Sequence, residues 1–531
     1  MTVARSALAA FARHAASAAG MHTSAAASAG IRSAATASFA SAAPSFARAG
    51  TGLAPRCFAN AADAVAAARR AVVPFAASFA RAACAPTRRW TPAAVSATAA
   101  PRASALVRRA FTSSAAAPLR ASSAAAASAA ASAAAAPRLV AGGAFAERVV
   151  GAWLVGGCAW VFSMVVLGGV TRLTRSGLSM TDWKFQWESP PLSDADWARE
   201  FDKYRRSPEF KLANASMTVE EYKFIFWMEY GHRMWGRGLG VFFALPLCGF
   251  LYNGWITKKL GARLASFFAL GAGQGLVGWW MVKSGLELDA ENPRNVPRVS
   301  PYRLAAHLTG AFTIYTAMLW TTFSVLFPNG AGTALYNSVD AAARAAAVTS
   351  LRRKAFPLAG LIALTALSGA YVAGLDAGRA YNTFPLMDGK LVPDAYWADW
   401  ETKGWRNFFE NEAAAQFDHR ALAFLTLAST TATHVSSRRS FALLPRRASF
   451  FLHATMGLVS AQVALGVATL LYHVPVSLGS AHQANALLVF TSVVGLTHAL
   501  GTKSAKGLVT HTRVAAAATR GSRAVAHAAG R

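Results

Sequence analysis

EYGHRMWGRGLG at residues 229–240 and QFDHR at 416–420 each open a long apolar stretch. Each is followed by a second histidine at the head of another such stretch, His307 after the first and His482 after the second. Placed this way, the four histidines make two pairs inside a membrane. An isolated imidazole in hydrocarbon mainly costs desolvation energy, whereas two neutral imidazoles facing each other from neighbouring helices are a usual ligand set for haem iron. The pattern therefore predicts two haem sites.

Working outward from these stretches, apolar runs recur at 149–170, 224–253, 264–282, 304–327, 356–374, 419–435, 449–472 and 481–500. A helix crosses the hydrocarbon core with about 20 residues, so eight transmembrane helices are predicted. The sixth is the weakest, being short and carrying Ser429, Thr430, Thr431 and Thr433, but hydroxyls are tolerated where a helix or its neighbours accept their hydrogen bonds. The intervening loops sort by charge. Those at 254–263, 329–355 and 435–448, with the tail from 501, hold 17 Lys and Arg against the single acid Asp340. The opposite loops, 171–223, 283–303 and 375–418, hold 17 cations against 20 acids. By the positive-inside rule the basic loops and both termini face the inner compartment. Of the charged residues, Glu229, Arg233, Arg237 and Arg420 alone fall inside the predicted spans, beside His232 and His419. A charge there costs about 2.5–3.5 kcal/mol on insertion scales, which marks the surroundings of both histidines as candidate functional sites.

The net charge of +29 belongs to other segments. Residues 1–146 are built from Ala, Ser and Arg, with 15 Arg, no Lys and one acid, Asp63. Such a segment has little to bury and reads as a disordered organellar transit peptide, mitochondrial rather than plastid, with Arg109–Ser113 (RAFTS) resembling a processing site. The charge lies in this leader and in short loops, so nucleic-acid binding is excluded as its meaning. Cys57 and Cys84 lie in the leader and Cys158 and Cys248 in apolar runs, so no loop disulfide or zinc cluster is indicated.

The two halves match beyond the histidines. Gln274 precedes Gly278 by four residues, as Gln462 precedes Gly466, and the first and fifth spans both end in glycine-containing turns, LGGVTRLTRSGLS at 167–179 and SGAYVAGLDAG at 368–378. Four spans per half give both halves one orientation, hence an all-α membrane protein of two duplicated parallel four-helix bundles. The expected organisation is a leader at 1–146, a first half at 147–328, a linker on the basic side at 329–355, a second half at 356–500 and a basic tail at 501–531. One position differs tellingly: Glu229, three residues before His232 and on its helical face, is Gln416 in the second copy. The carboxylate suggests proton chemistry in the first half, with an ion pair to Arg233 as the structural alternative.

GGVTRLTRSGLSMTDWKF (168–185), EYGHRMWGRGLG (229–240), GQGLVGWWMVKSGL (273–286), RLAAHL (303–308), YNTFPLMDG (381–389), QFDHR (416–420) and LGSAHQ (478–483) together resemble the haem A synthase family over about 149–500. The resemblance implies oxidation of the C8 methyl group of haem O to a formyl group, giving haem A for cytochrome c oxidase. It implies that His232 and His307 bind the substrate or product haem, that Glu229 is catalytic, and that His419 and His482 ligate haem B as cofactor, with Arg233 and Arg420 as candidate propionate contacts. It places the chain in the mitochondrial inner membrane, both termini in the matrix. Haem O synthase and oxidase assembly factors are the implied partners, together with an unidentified electron carrier. The main competing class is a di-haem b-type electron-transfer cytochrome, which has no use for Glu229 in one half only. A transporter with duplicated halves would need broken helices and polar residues at mid-membrane. His434, His453 and His498 read as hydrogen-bonded structural residues, and Gly271 with Gly275 as a close-approach surface, within the chain or between copies in a homo-oligomer.

Overall fold

The structure, a computed structural model, describes residues 138–184, 188–287, 297–328 and 341–501, all within one compact unit, Ala99–Arg531. Residues 1–137 of the leader, with the RAFTS sequence, residues 329–340 of the linker and the tail from 502 lie outside the described residues.

Among the described residues all regular structure is helical, apart from two isolated β-bridges. Ten helices organise it: α1 (Gly143–Leu173), α2 (Asp194–Arg205), α3 (Pro208–Ala213), α4 (Val219–Tyr252), α5 (Lys258–Leu286), α6 (Pro301–Leu326), α7 (Ala341–Gly374), α8 (Glu412–Ser437), α9 (Arg446–Leu471) and α10 (Val476–Leu500), with short helical turns between Ala377 and Glu410. Local sequence sets their starts. Ser193 and Thr218 form capping boxes with Asp196 and Glu221, Asn411 accepts from the main chain of Ala413 and Ala414, and Pro301 occupies the first turn of α6.

Six of these helices, α1, α4, α5, α7, α9 and α10, are long and apolar enough to cross a membrane. The other two long helices, α6 and α8, have 26 residues each but are diluted by hydroxyl side chains. Those hydroxyls are satisfied within the helix: Thr309, Thr313 and Thr316 on α6, and Thr430 and Thr431 on α8, each donate to the carbonyl four residues back at 2.7–2.8 Å. Two boundaries differ from the sequence expectation. α7 begins at Ala341, well before 356, because AAARAAAV is strongly helix-forming and its Ala347, Val348, Leu351 and Ala355 find buried positions. At the other end of the described chain, Val140 bridges to Ile256, tying residues read as leader to the α4–α5 connection.

The helices pack as two four-membered rings. α4 and α6 each lie against α1 and α5, and α8 and α10 each lie against α7 and α9. Neither diagonal pair, α4 with α6 or α8 with α10, is closely packed among the described residues. The rings meet through α1 on α10, α6 on α7 and α6 on α10. This seam is the best-buried part of the molecule, with Leu487, Val493 and Leu496 of α10 at 0–1% exposure.

Two candidate haem-binding sites

The four histidines fall on the diagonal helices: His232 on α4 and His307 on α6 in one ring, His419 on α8 and His482 on α10 in the other. Each ring lies over a glycine of an adjacent helix. A Cβ added at Gly168 would stand 3.0 Å from Cε1 of His232, at Gly278 3.2 Å from His307, at Gly369 3.0 Å from His419 and at Gly466 3.0 Å from His482. A Cβ at any of these four positions would require the imidazole to give by a few tenths of an ångström. His307 lies within electrostatic reach of His232, and His419 of His482.

The residues behind the imidazoles tell whether a haem fits. Nδ1 of His419 is 2.7 Å from Ser368 Oγ, whose own proton is donated to the Thr365 carbonyl at 2.8 Å. The hydroxyl therefore accepts from Nδ1–H, which leaves Nε2 with the lone pair that an iron needs. The Gln274 amide, oriented to suit its surroundings, donates to His307 Nδ1 at 2.8 Å and accepts from Ala311 N at 2.8 Å. Turned end for end the amide would accept from Nδ1–H once Nε2 is engaged, giving up the bond from Ala311 N. The counterpart Gln462 lies 3.2 Å from both ring nitrogens of His482 and is itself held by Asn485 at 2.8 Å. Nδ1 of His232 is buried and has no hydrogen-bond partner among the described residues. Paired imidazoles on diagonal helices, glycine-cradled and largely backed by polar groups, have the donor chemistry that would suit a haem iron.

The charged residues beside the histidines latch loops. Glu229, 3% exposed, accepts from Ser179 Oγ at 2.7 Å and Met180 N at 2.9 Å through one oxygen, and pairs with Arg233 at 2.6 Å through the other. Arg233 also donates to the carbonyls of Met180 (3.1 Å) and Asp182 (2.9 Å) and lies 4.5 Å over the Trp183 ring. In the other ring Arg420 donates to the carbonyls of Tyr381 (2.7 Å) and Thr383 (3.1 Å) and to Gln416 Oε1 (2.7 Å), while Gln416 Nε2 donates to the carbonyls of Ala377 and Ala380. Both motifs thus tie the loop after α1 or α7 to the helix that carries their histidine. The Glu/Gln exchange follows the loop: the first presents donors, the second acceptors. The ion pair anticipated from the sequence is present. A pocket of about 270 Å³ opens beside it, lined by Met180, Asp182, Trp183, Arg233, Trp279 and Lys283.

Several features escaped sequence reasoning. Glu209 on α3 is buried beside the loop, accepting from the Tyr204 hydroxyl at 3.1 Å. Burial, reinforced by Glu229, pushes its carboxyl up to about 7 despite the Tyr204 hydrogen bond. Nothing in SPEF at 207–210 distinguishes it from an exposed first-turn acid. The glycines under the rings were legible only as repeated Gly positions, and Ser368 carried no signal at all. His434 and His453 bond to each other at 2.9 Å, and His498 lies 3.2 Å from Ser324. A Cβ at Gly271 or Gly275 would meet nothing within 4 Å, so no close approach occurs there within the described chain.

A family model described as "Cytochrome oxidase assembly protein" (COX15-CtaA) matches residues 151–494, the region that holds both rings and all four histidines. The chain belongs to this family. Among its relatives, Heme A synthase COX15 of Arabidopsis thaliana is 54% identical over 68% of this chain and 77% of its own length. Heme A synthase of the bacterium Nitrosospira multiformis is 42% identical over 67% of this chain and 94% of its own. A Heme A synthase-mitochondrial ferredoxin fusion protein of Schizosaccharomyces pombe is 38% identical over 67% and 60%.

Proposed function

We infer that the chain is a haem A synthase, an oxidoreductase that converts the C8 methyl group of haem O to a formyl group and so supplies haem A for cytochrome c oxidase. The observation that carries this reading is the pair of rings with histidines on their diagonal helices, in a chain of this family. In this reading all eight long helices cross the membrane as two parallel four-helix bundles. Its support is the equivalent packing of the rings and the correspondence, at a constant offset, of Gly168, Met180 and Asp182 with Gly369, Tyr381 and Thr383. The basic loops put both termini in the matrix of a mitochondrion. The segment before residue 138 serves as the transit segment.

His232 and His307 hold the substrate haem and His419 and His482 the cofactor haem B. When bound, haem B supplies one-electron transfer to and from the substrate site. Arg233 and Lys283, facing the 270 Å³ pocket, provide cationic partners for propionates, as does Arg420 Nε, buried without a partner among the described residues. Glu229 ties the 174–184 loop to the helix that carries His232 and, as the carboxylate on the same helical face, is the residue we assign to proton transfer there. The fission-yeast fusion favours a ferredoxin as the external electron carrier, with haem O synthase upstream and oxidase assembly factors downstream.

The test is haem extraction from the full chain purified in detergent, with identification by chromatography and mass. Haem B together with haem O or haem A is expected. His419→Ala and His482→Ala should lose haem B, and His232→Ala and His307→Ala the other haem. Two equivalents of haem B and nothing else would replace the synthase reading with an electron-transfer cytochrome.

A further inference from the structure

The two histidine sets are alike in steric support and unlike in hydrogen bonding. A Cβ added at Gly168 or at Gly369 would stand at the same distances from His232 or His419, 3.0 Å from Cε1 and 3.6 Å from Nδ1. The residue before each glycine differs. On α7 it is Ser368, which anchors His419 Nδ1 at 2.7 Å and passes the hydrogen bond on to Thr365. On α1 it is Leu167, which has no polar side-chain atom, and His232 Nδ1 is left buried without a partner among the described residues. The other ligand of each ring, His307 or His482, has its glutamine. Neither charged neighbour of His232 makes up the difference, since Glu229 and Arg233 bond to each other and to the loop.

We propose that Leu167 and Ser368 are positioning residues that make His232 an exchangeable iron ligand and His419 a fixed one. An iron between His232 and His307 can then open one coordination position, while one between His419 and His482 stays closed. The reasoning is local. An imidazole whose second nitrogen is held by an acceptor has its tautomer and ring plane set and is the more basic ligand. His232 lacks that anchor. It binds iron with its Nδ1–H unsatisfied in a buried site, and it recovers hydrogen bonding only by turning away. A site that must admit an oxygen-bearing reactant needs such a ligand, and a site that only passes electrons needs the opposite. The inference rests on the haem reading above.

Carbon monoxide is the probe, since it binds a ferrous haem only where a position is open or can open. Haem content per chain is measured first. Full-chain protein carrying both haems, reduced with dithionite, should bind carbon monoxide at one haem, and the reactive haem should persist in His419→Ala. Leu167→Ser supplies the missing hydroxyl and should slow carbon monoxide association by about tenfold or more. The low-spin fraction of the oxidised protein should rise with it in electron paramagnetic resonance. Ser368→Leu should make the second haem reactive as well, and Ser368→Ala, which adds no bulk, should shift it in the same direction. Reactivity confined to the haem held by His419 and His482, or rates and spin states indifferent to all three substitutions, would overturn the proposal. Absence of any haem dependent on His232 would instead be visible in the prior stoichiometry and would sink the haem reading of that ring.

Discussion

At the scale of single residues, the Glu229/Gln416 exchange shows how a chemical difference can be set by geometry. Both side chains bridge an arginine to a loop, but the loop after α1 offers a hydroxyl and an N–H, and the loop after α7 offers two carbonyls. Gln416→Glu should therefore lose two donated hydrogen bonds and set a carboxylate against two carbonyl oxygens. The expected cost is about 2–4 kcal/mol, read as a lowered unfolding temperature in detergent. Glu209 yields a second prediction. Its folded-state pKa of about 7 lies above the ordinary 4.5, so the unfolded chain releases the proton first as pH rises. Stability should fall across that window, by about 3 kcal/mol in all, and level off above it. Glu209→Gln, which keeps an acceptor for Tyr204, should flatten the profile and be the more stable protein on the alkaline side, measured by thermal unfolding at several pH values. The sequence disclosed the four histidines because imidazoles are conspicuous among apolar residues. It did not disclose Glu209, Leu167 or Ser368, whose meaning depends on what stands opposite them in space.

At the scale of elements, all eight long helices were legible as apolar runs, the sixth as the weakest, whereas six of the described helices are long and apolar enough to cross a membrane and α6 falls short together with α8. Their hydroxyls lower hydropathy without exposing unsatisfied groups, because each can return its proton to its own helix. Boundaries were less legible. The N-terminal extension of α7 reads as linker because alanine favours a helix without marking which alanines will be buried. The glycine contacts make a prediction at this level. Gly369→Ala should push the His419 ring off its seat while leaving α7 intact, since alanine is the better helix former. The expected result is loss of the His419/His482 haem, seen by extraction, with helical circular dichroism unchanged and the other haem retained.

At the scale of the whole molecule, the rings are joined by α1, α6, α7 and α10, and the loop end of the seam is pinned by charge. Arg172 donates to the Ala373 carbonyl at 2.8 Å and pairs with Asp376 at 2.9 Å, and Arg175 approaches Asp376 at 3.9 Å. Asp376→Arg should remove a partly exposed pair and bring three guanidinium groups together. The change should cost about 1 kcal/mol or more, observed as a lower unfolding temperature that recovers in high salt. The pairwise packing of helices was foreseeable from the repeat. The identity of the residues at the seam was not, because a repeat says how each half is organised within itself and nothing about how the two halves meet.

Arg175 and Asp376 occupy the same place in their turns, with backbone φ of 54° and 55°. Each therefore lies against its own counterpart. In a homodimer of identical halves, a charged side chain at such a place would face a copy of itself, and only an uncharged or self-complementary residue could stand there. Once two copies are fused in a single polypeptide, they are free to take opposite signs. That contact gives the molecule a handedness between its halves, so that the two cannot be interchanged.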